Sequence, residues 1–445
     1  MNHLIDLDRK YFLHPTSSIQ QQQSQGAKLI VESGNGVYLK DMDGNTYIDA
    51  MSSLWNVHIG HGREELADAA AAQMKKLAFS SAFSTFTHEP AIKLAEKIAS
   101  ISPETLNAVF FTSGGSEAND SAIKLVRHYW KIQGQPDRRK IIALKRAYHG
   151  VAAASTSATG IKEFWEMAGH MMGDFTHTDS TYQSTTKDAI ASLRKKIEEE
   201  GPETIAAFLA EPVQGAGGVL MPSEDYFSEV RKLCDEYGIL FIADEVITGF
   251  GRTGKMFALE HWGVIPDVMT FAKGVTSGYI PLGGVVISDA VHNVLKQKSE
   301  GTLFHGFTYS GHPTAAAVGL KNIEVIEKEG LVENSHRMGA KLLAGFEQIK
   351  KELDIVGDVR MLGLLGAVEL VKNPETNERF SGDLKVAPRV IEELHQRGVI
   401  CRAVTYEGMD IICFAPPLII NENQINEILT KLHESILSIQ NEILV

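Results

Sequence analysis

Lys273 closes the apolar stretch Val268 to Ala272 in the phrase Asp-Val-Met-Thr-Phe-Ala-Lys-Gly. An amine at the edge of apolar surroundings loses its proton more readily than one in water, and a neutral amine can form a Schiff base with a carbonyl compound. On position alone a solvated charge at a strand end is the commoner outcome. Its company changes the balance. Ile239 to Ala243 is a second apolar run, and it ends in Asp244 and Glu245. A carboxylate at the end of a buried strand is costly unless it meets a cation, and a protonated ring nitrogen is such a partner. The alternative is an exposed pair capping the next turn. Earlier, Phe110-Phe-Thr-Ser-Gly-Gly-Ser-Glu-Ala118 passes from strand through glycine turn to helix. Backbone N–H groups at a helix start, with the Ser116 hydroxyl beside Gly115, can bind a phosphate. A plain glycine turn with Ser116 as the helix N-cap is the bland reading. Tyr148-His149-Gly150 follows another strand and offers an aromatic plate, and Glu211 ends a further one. Amine, carboxylate and phosphate loop together make one constellation.

Other motifs compete with it. Gly249-Phe-Gly251-Arg-Thr-Gly254 satisfies the glycine pattern of a dinucleotide-binding dehydrogenase, but Asp244 and Glu245 just before it would repel a pyrophosphate. The same segment nearly matches the phosphate loop of nucleotide hydrolases and fails at Met256, which has no hydroxyl for magnesium. His58 and His61 have a helical spacing that could suit a metal, yet Gly60 and Gly62 break any helix, so no metal site is expected. Cys234, Cys401 and Cys413 lack close ligand spacing and read as small buried residues in a reducing compartment.

The elements that must position these groups follow from apolar patterning. Short apolar runs at 108–112, 140–144, 206–210, 239–243, 268–272 and 284–287 predict strands, alternating with helices over 116–131, 186–200 and 223–237. Such alternation predicts a largely parallel sheet covered on both faces, with ligands at the carboxyl ends of its strands. Residues 37–51 read as two strands about an Asp-Gly-Asn turn and residues 64–77 as an Ala-rich helix. The glutamine tract at 20–23 reads as part of an extended arm or loop. After 312 a helical stretch leads to strands at 363–371 and 411–415 and helices at 387–397 and 422–444. The expected division is a large domain, 76–315, and a small α+β domain built from 1–75 and 316–445. At 445 residues, with 44% hydrophobic and 22% charged residues, the chain has an ordinary globular composition. A net charge of -13 argues against a nucleic-acid or anionic-membrane partner. The N-terminus lacks the apolar core of a signal peptide and no apolar run approaches membrane-spanning length, so a cytoplasmic address is expected.

The motifs Ser-Gly-Gly-Ser-Glu-Ala, Tyr-His-Gly, Ala-Asp-Glu-Val-Ile-Thr-Gly-Phe-Gly-Arg-Thr-Gly, Ala-Lys-Gly and His305-Gly-Phe-Thr-Tyr-Ser-Gly-His-Pro313 occur in order, and they resemble class III pyridoxal-phosphate aminotransferases. The similarity runs from the Asp43-Gly44 turn to Ala415-Pro416-Pro417. It implies an α/β fold of the pyridoxal-phosphate transferase fold type I, and a homodimer with active sites at the interface. Dimers could pair into tetramers. In that reading Lys273 carries the internal aldimine, Asp244 holds the pyridinium, and Val246 and Tyr148 sandwich the ring. Gly115 and Ser116 bind the phosphate, and Phe307 and Thr308 reach the same phosphate from the other subunit. Glu211 supports the site through hydrogen bonds, and His149 neighbours the ring. An amine donor displaces Lys273, the freed amine moves a proton between substrate and cofactor, and a keto acid then reverses the sequence from pyridoxamine phosphate.

Two departures narrow the subclass. Members acting on ornithine or 4-aminobutyrate typically carry Glu-Pro-Ile-Gln-x-Glu, whose second glutamate holds an arginine, and Asp-Glu-Ile-Gln, whose glutamine reaches the cofactor, whereas those two positions are here Ala216 and Ile247. Glu-Pro-Val-Gln-Gly-Ala-Gly-Gly and Tyr279-Ile-Pro-Leu282 look most like ω-amino acid and amine:pyruvate transaminases, and Arg402 matches their mobile arginine. A movable guanidinium can pair with a keto-acid carboxylate and withdraw from an apolar amine. Trp55 and Phe83 fall where those enzymes line the substrate pocket, with core packing the alternative for both. The runner-up is a biotin-pathway 7,8-diaminononanoate aminotransferase, which usually has Pro-Thr where this chain has Phe307-Thr308.

Overall fold

The computed structural model describes residues 2–169 and 171–444. Among the described residues, fifteen strands form three sheets. In chain order they are β1 (Val31–Asn35), β2 (Tyr38–Asp41), β3 (Thr46–Asp49), β4 (Leu106–Thr112), β5 (Lys140–Leu144), β6 (Phe175–Thr178), β7 (Ile205–Ala210), β8 (Leu240–Asp244), β9 (Val268–Phe271), β10 (Gly283–Ser288), β11 (Val356–Leu362), β12 (Leu365–Leu370), β13 (Val399–Ile400), β14 (Arg402–Val404) and β15 (Ile411–Phe414).

The central sheet has the order β4-β10-β9-β8-β7-β5-β6. Its pairs are parallel from β9 through β6, and only β10 runs antiparallel, to both β4 and β9. Every residue of β7, β8, β9 and β10 is buried. That is the signature of strands covered on both faces, and it is why their sequences read as unbroken apolar runs. Helices Gly115–Ile132, Thr186–Glu200 and Tyr226–Tyr237 supply much of the cover. The apolar packing falls on either side of the sheet into two clusters, one around Phe208, Phe227 and Phe241, the other around Ile123, Val126 and Leu209. Residues Gly115, Tyr148, Glu211, Asp244 and Lys273 all lie at or just beyond the carboxyl ends of parallel strands or of β4.

A second sheet, β1-β2-β3-β13, contains three N-terminal strands and one from the C-terminal part, β13 being parallel to β3. The third, β11-β12-β15-β14, is antiparallel and carries Arg402 on its edge strand β14. Among the described residues no helix is long and apolar enough to cross a membrane, and no group of three or more His, Cys, Asp or Glu side chains is placed to hold a metal.

Several expectations are corrected. The glutamine tract is helical: Ile19–Gln25 starts at Ser18, whose hydroxyl accepts from Gln21 N, and Gln22 is buried with its amide donating to Phe12 O at 2.8 Å. Glutamine is a good helix former once a cap and a docking surface exist. Strands β1, β6 and β11 have no clear apolar run and escape the sequence pattern. Ser116 is not an N-cap, because the helix begins at Gly115 with Gly114 before it. Lys273 does not end a strand; β9 stops at Phe271 and Lys273 opens a short 3-10 turn with φ +46°.

Candidate active site

Eight of the residues singled out in the sequence line one cavity of about 120 Å³: Gly115, Ser116, Tyr148, His149, Glu211, Asp244, Val246 and Lys273. Asn119, Gly150 and Ile247, which the sequence does not mark as site residues, line it as well. The glycines are there for space. A Cβ on Gly115 would stand 2.8 Å from Val246 Cγ1, and one on Gly150 only 2.5 Å from Ser116 Oγ, at a φ of +125°. Ser116 Oγ accepts from Val151 N at 3.1 Å, and Ser113 N donates to Glu117 Oε2 at 2.8 Å. The turn at the start of this long helix is thereby fixed, and its first two residues line the cavity, as the N-terminus of a phosphate-binding helix does.

Asp244 is 3% exposed, so its charge must be compensated locally. Its Oδ2 accepts from Asn119 Nδ2 at 2.7 Å and pairs with His149 Nδ1 at 2.8 Å, while its Oδ1 accepts from Val246 N at 3.1 Å. Glu211 is buried too. Its Oε1 accepts from Tyr148 N and its Oε2 from Gly215 N, both at 2.9 Å, yet burial still pushes its carboxyl up to about 7. Burial lowers the Lys273 amine to about 8; the nearby Asp244 and Glu211 act against that fall, and Arg402 adds to it. Burial raises the Tyr148 phenol as well. The Tyr148 ring packs on Phe164 with centroids 5.3 Å apart. Gly274 lies under the His58 ring, where a Cβ would come within 2.3 Å of Cε1, so the turn after Lys273 can be occupied only by glycine without displacing His58.

The remaining predicted residues lie elsewhere. Trp55 is buried in an apolar cluster with Met51, Ile247 and Val404, next to the cavity wall that Ile247 forms. Arg402 sits on β14, and its charge acts on both Tyr148 and Lys273. Among the described residues it has no side-chain hydrogen bond or ion pair. Phe83, Phe307 and Thr308 do not line this cavity. Phe83 is 51% exposed and packs against Gly306, in a groove of about 950 Å³ that also takes in Phe86, Phe110 and Phe304. Phe307 stands edge-on to His305, which stacks on Phe110, and Thr308 is exposed.

The dehydrogenase reading does not survive the geometry. No α-helix follows Gly249, Gly251 and Gly254, and Arg252 between them is wholly buried. It donates to Leu364 O at 3.0 Å, Pro416 O at 2.6 Å and Ser52 Oγ at 3.1 Å. That segment is a structural staple. Glu245 is equally internal: it accepts from Ala258 N and Leu259 N and from the Thr248 hydroxyl.

A mainly parallel sheet with a lysine, a buried aspartate and a helix start at one rim defines a pyridoxal-phosphate transferase of fold type I. The chain belongs to the class III aminotransferases, whose family model matches residues 19–436. It is 43% identical over 434 residues to the putrescine–pyruvate aminotransferase of Pseudomonas aeruginosa, covering 95% of this chain and 93% of the relative. Among solved structures it resembles a transaminase from the marine bacterium Virgibacillus, with TM-score 0.98 and 70% identity over 99% of this chain and 100% of the other. It also resembles the ω-transaminase of Pseudomonas jessenii in complex with PMP, with TM-score 0.95 and 36% identity over 99% of each chain. A variant of the latter, substituted at one tryptophan, one phenylalanine and one arginine, was engineered for asymmetric synthesis of enantiopure bulky amines. These relatives do not favour the 7,8-diaminononanoate alternative.

The enzyme is therefore an aminotransferase, with pyridoxal phosphate as cofactor. The cavity fits that group. It offers a carboxylate for a ring N–H, an amine of lowered pKa for a carbonyl, helix-start N–H groups for a phosphate, and a buried His149 Nε2 that has no hydrogen-bond partner.

Proposed function

We propose that the enzyme moves the amino group of an ω-amino acid or primary amine to a keto acid, with pyruvate as the acceptor, in two half-reactions of ping-pong type. The observation that carries this reading is the unpaired Arg402 guanidinium beside the cavity, in a chain whose position 216 is alanine. With no glutamate there to hold it, Arg402 is free to pair with the carboxylate of a keto acid and to turn away from an uncharged side chain. Trp55, through Ile247, and Phe83, from the groove, would shape the space around the substrate. The substitutions in the Pseudomonas jessenii variant, at residues of the same three types, support that choice, and the Pseudomonas aeruginosa relative supports pyruvate.

When bound, pyridoxal phosphate supplies an electron sink that acidifies the C–H bond beside the transferred nitrogen. The chain's own groups do the rest. Asp244, held by two donors on Oδ2, would keep a positive ring nitrogen in place. Gly115 and Ser116 would hold the phosphate and Val246 and Tyr148 would flank the ring, while His149 braces Asp244. Lys273, with a pKa of about 8, is partly neutral near pH 8 and can accept and return a proton at Nζ. Glu211 fixes the Tyr148 backbone.

In this reading the large domain, 76–315, carries the cofactor and 1–75 with 316–445 form the small domain. The groove at Phe304 is covered by a second copy of the chain, so that Phe307 and Thr308 reach the partner's phosphate. The enzyme works in the cytoplasm, which suits its three free, buried cysteines. The test is steady-state kinetics with β-alanine, taurine, putrescine, 1-phenylethylamine and S-adenosylmethionine as donors against pyruvate, 2-oxoglutarate and 7-keto-8-aminopelargonate. Parallel double-reciprocal lines with pyruvate and a terminal amine are expected. Turnover confined to S-adenosylmethionine with 7-keto-8-aminopelargonate would refute the assignment.

A further inference from the structure

Asn119 is a polar residue only 1% exposed, four residues after Gly115 on the same helix and so one turn above it. Every polar atom of its side chain is used. Nδ2 donates to Asp244 Oδ2 at 2.7 Å and to His149 O at 2.7 Å, and Oδ1 accepts from Thr270 Oγ1 at 2.9 Å. Thr270 is fully buried, lies directly opposite Asp244 in the β8–β9 register, and is three residues before Lys273. An amide can present either its oxygen or its nitrogen to a neighbour, and here two constraints decide which. The Thr270 hydroxyl must find an acceptor, since its own surroundings are dry, and the His149 carbonyl needs a donor. Both are satisfied only with the nitrogen toward Asp244.

We propose that Asn119, oriented by Thr270, is the positioning group that keeps Asp244 aimed at the cofactor's ring nitrogen, a proposal that rests on the cofactor reading above. The pair joins four segments of the site: the phosphate-binding helix, the Tyr148-His149 loop, β8 and the strand that leads to Lys273. Asn119 touches neither the transferred nitrogen nor the phosphate in this assignment. It and His149 share Oδ2, and Val246 N takes part of Oδ1, which leaves Oδ1 with acceptor capacity to spare. Rotation of Asp244 about its Cβ–Cγ bond would break three hydrogen bonds at once.

The test uses the holoenzyme and the near-isosteric variants Thr270→Val, Thr270→Ser and Asn119→Asp. Thr270→Val removes only the hydroxyl that fixes the amide. It should lower kcat about tenfold to a hundredfold, as expected for weakening a hydrogen bond to a charged group, while KM for the amine changes less than about threefold. It should also move the absorption band of the bound cofactor and speed loss of pyridoxal phosphate on dialysis. Thr270→Ser should restore all three readouts. Asn119→Asp sets a second carboxylate against Asp244 and should show the same spectral change. Wild-type kcat, spectrum and cofactor retention in Thr270→Val, with Asp244→Asn inactive, would overturn the role of Asn119 and leave the cofactor reading intact. An active Asp244→Asn would overturn the cofactor reading itself. If Asn119→Asp does not fold, the Thr270 pair decides alone.

Discussion

At the residue scale the proposed chemistry depends on an amine made less basic than a surface lysine. Because the folded amine has a pKa lowered to about 8 from 10.5, it is largely neutral above pH 8, where an unfolded chain would still hold the proton. The sign is therefore clear for the cofactor-free protein: reactivity of Lys273 toward a small amine-acylating reagent should rise between about pH 7 and about pH 9, on either side of that pKa. Peptide mass spectrometry would check this, and a midpoint near the ordinary lysine value of 10.5 would show that the amine is not desolvated. Lys273→Ala should abolish transamination together with the borohydride-reducible linkage to the cofactor, and normal turnover in that variant would end the mechanism. Arg402→Ala should raise KM for pyruvate at least about tenfold, the value of one charge-assisted pair, while KM for an amine without a carboxylate changes little. Equal changes in both half-reactions would remove its proposed selective role. Lys273, Asp244 and the helix-start glycines are legible in the sequence because each punctuates an apolar run. Asn119 and Thr270 are not, since one polar residue within a helix or strand pattern gives no sign of where its hydrogen bonds go.

The elements explain why the site assembles where it does. Strands β7 to β10 are buried on both faces and are readable from sequence almost to the residue, Ile205–Ala210 and Gly283–Ser288 among them. Phe175–Thr178, at the sheet edge, has Phe175 as the sole apolar residue of its four positions and gives no such signal. Val356–Leu362 contains a glycine and two charges and finds its identity only by pairing with β12. The glycine-rich segment after β8 is the hardest to read, because the same spacing serves nucleotide loops. Its function is revealed by Arg252, whose burial lowers it to about 9 and whose three partners come from both ends of the chain. Replacing Arg252 with Met should leave the Leu364 and Pro416 carbonyls unsatisfied and cost about 2 to 4 kcal/mol, seen as a lower thermal midpoint of the holoenzyme. An unchanged midpoint would mean that the staple contributes nothing.

At the scale of the whole molecule, the N- and C-terminal parts are joined by the parallel β3–β13 pair and by the Arg252 contacts, so sequence-distant Trp55 and Val404 meet in one apolar cluster with Ile247. The segment 304–308 does not line the cavity of its own chain, and Phe304 is 95% exposed. An apolar groove of that size is a surface to be covered. If the partner's phosphate is the target of Thr308, then Thr308→Asp and Lys273→Ala should each be inactive as pure dimers. Mixed after reversible dissociation, they should recover about one quarter of wild-type activity through hybrid dimers with one intact site. No recovery in a mixture shown to contain hybrids would place Thr308 outside the partner's site.

If Lys273 and its cavity pass an amino group from a terminal amine to the cofactor and then to pyruvate, the two halves of that transfer can be watched separately. The measurement is to mix the holoenzyme with a primary amine alone and follow the cofactor absorbance through a single half-turnover. Complete loss of the Lys273-linked band is predicted, with one aldehyde or ketone released per site and no free ammonia. The band should return when pyruvate is added, with one alanine formed per site. Persistence of the band with the amine, or its return without alanine, would contradict the transfer.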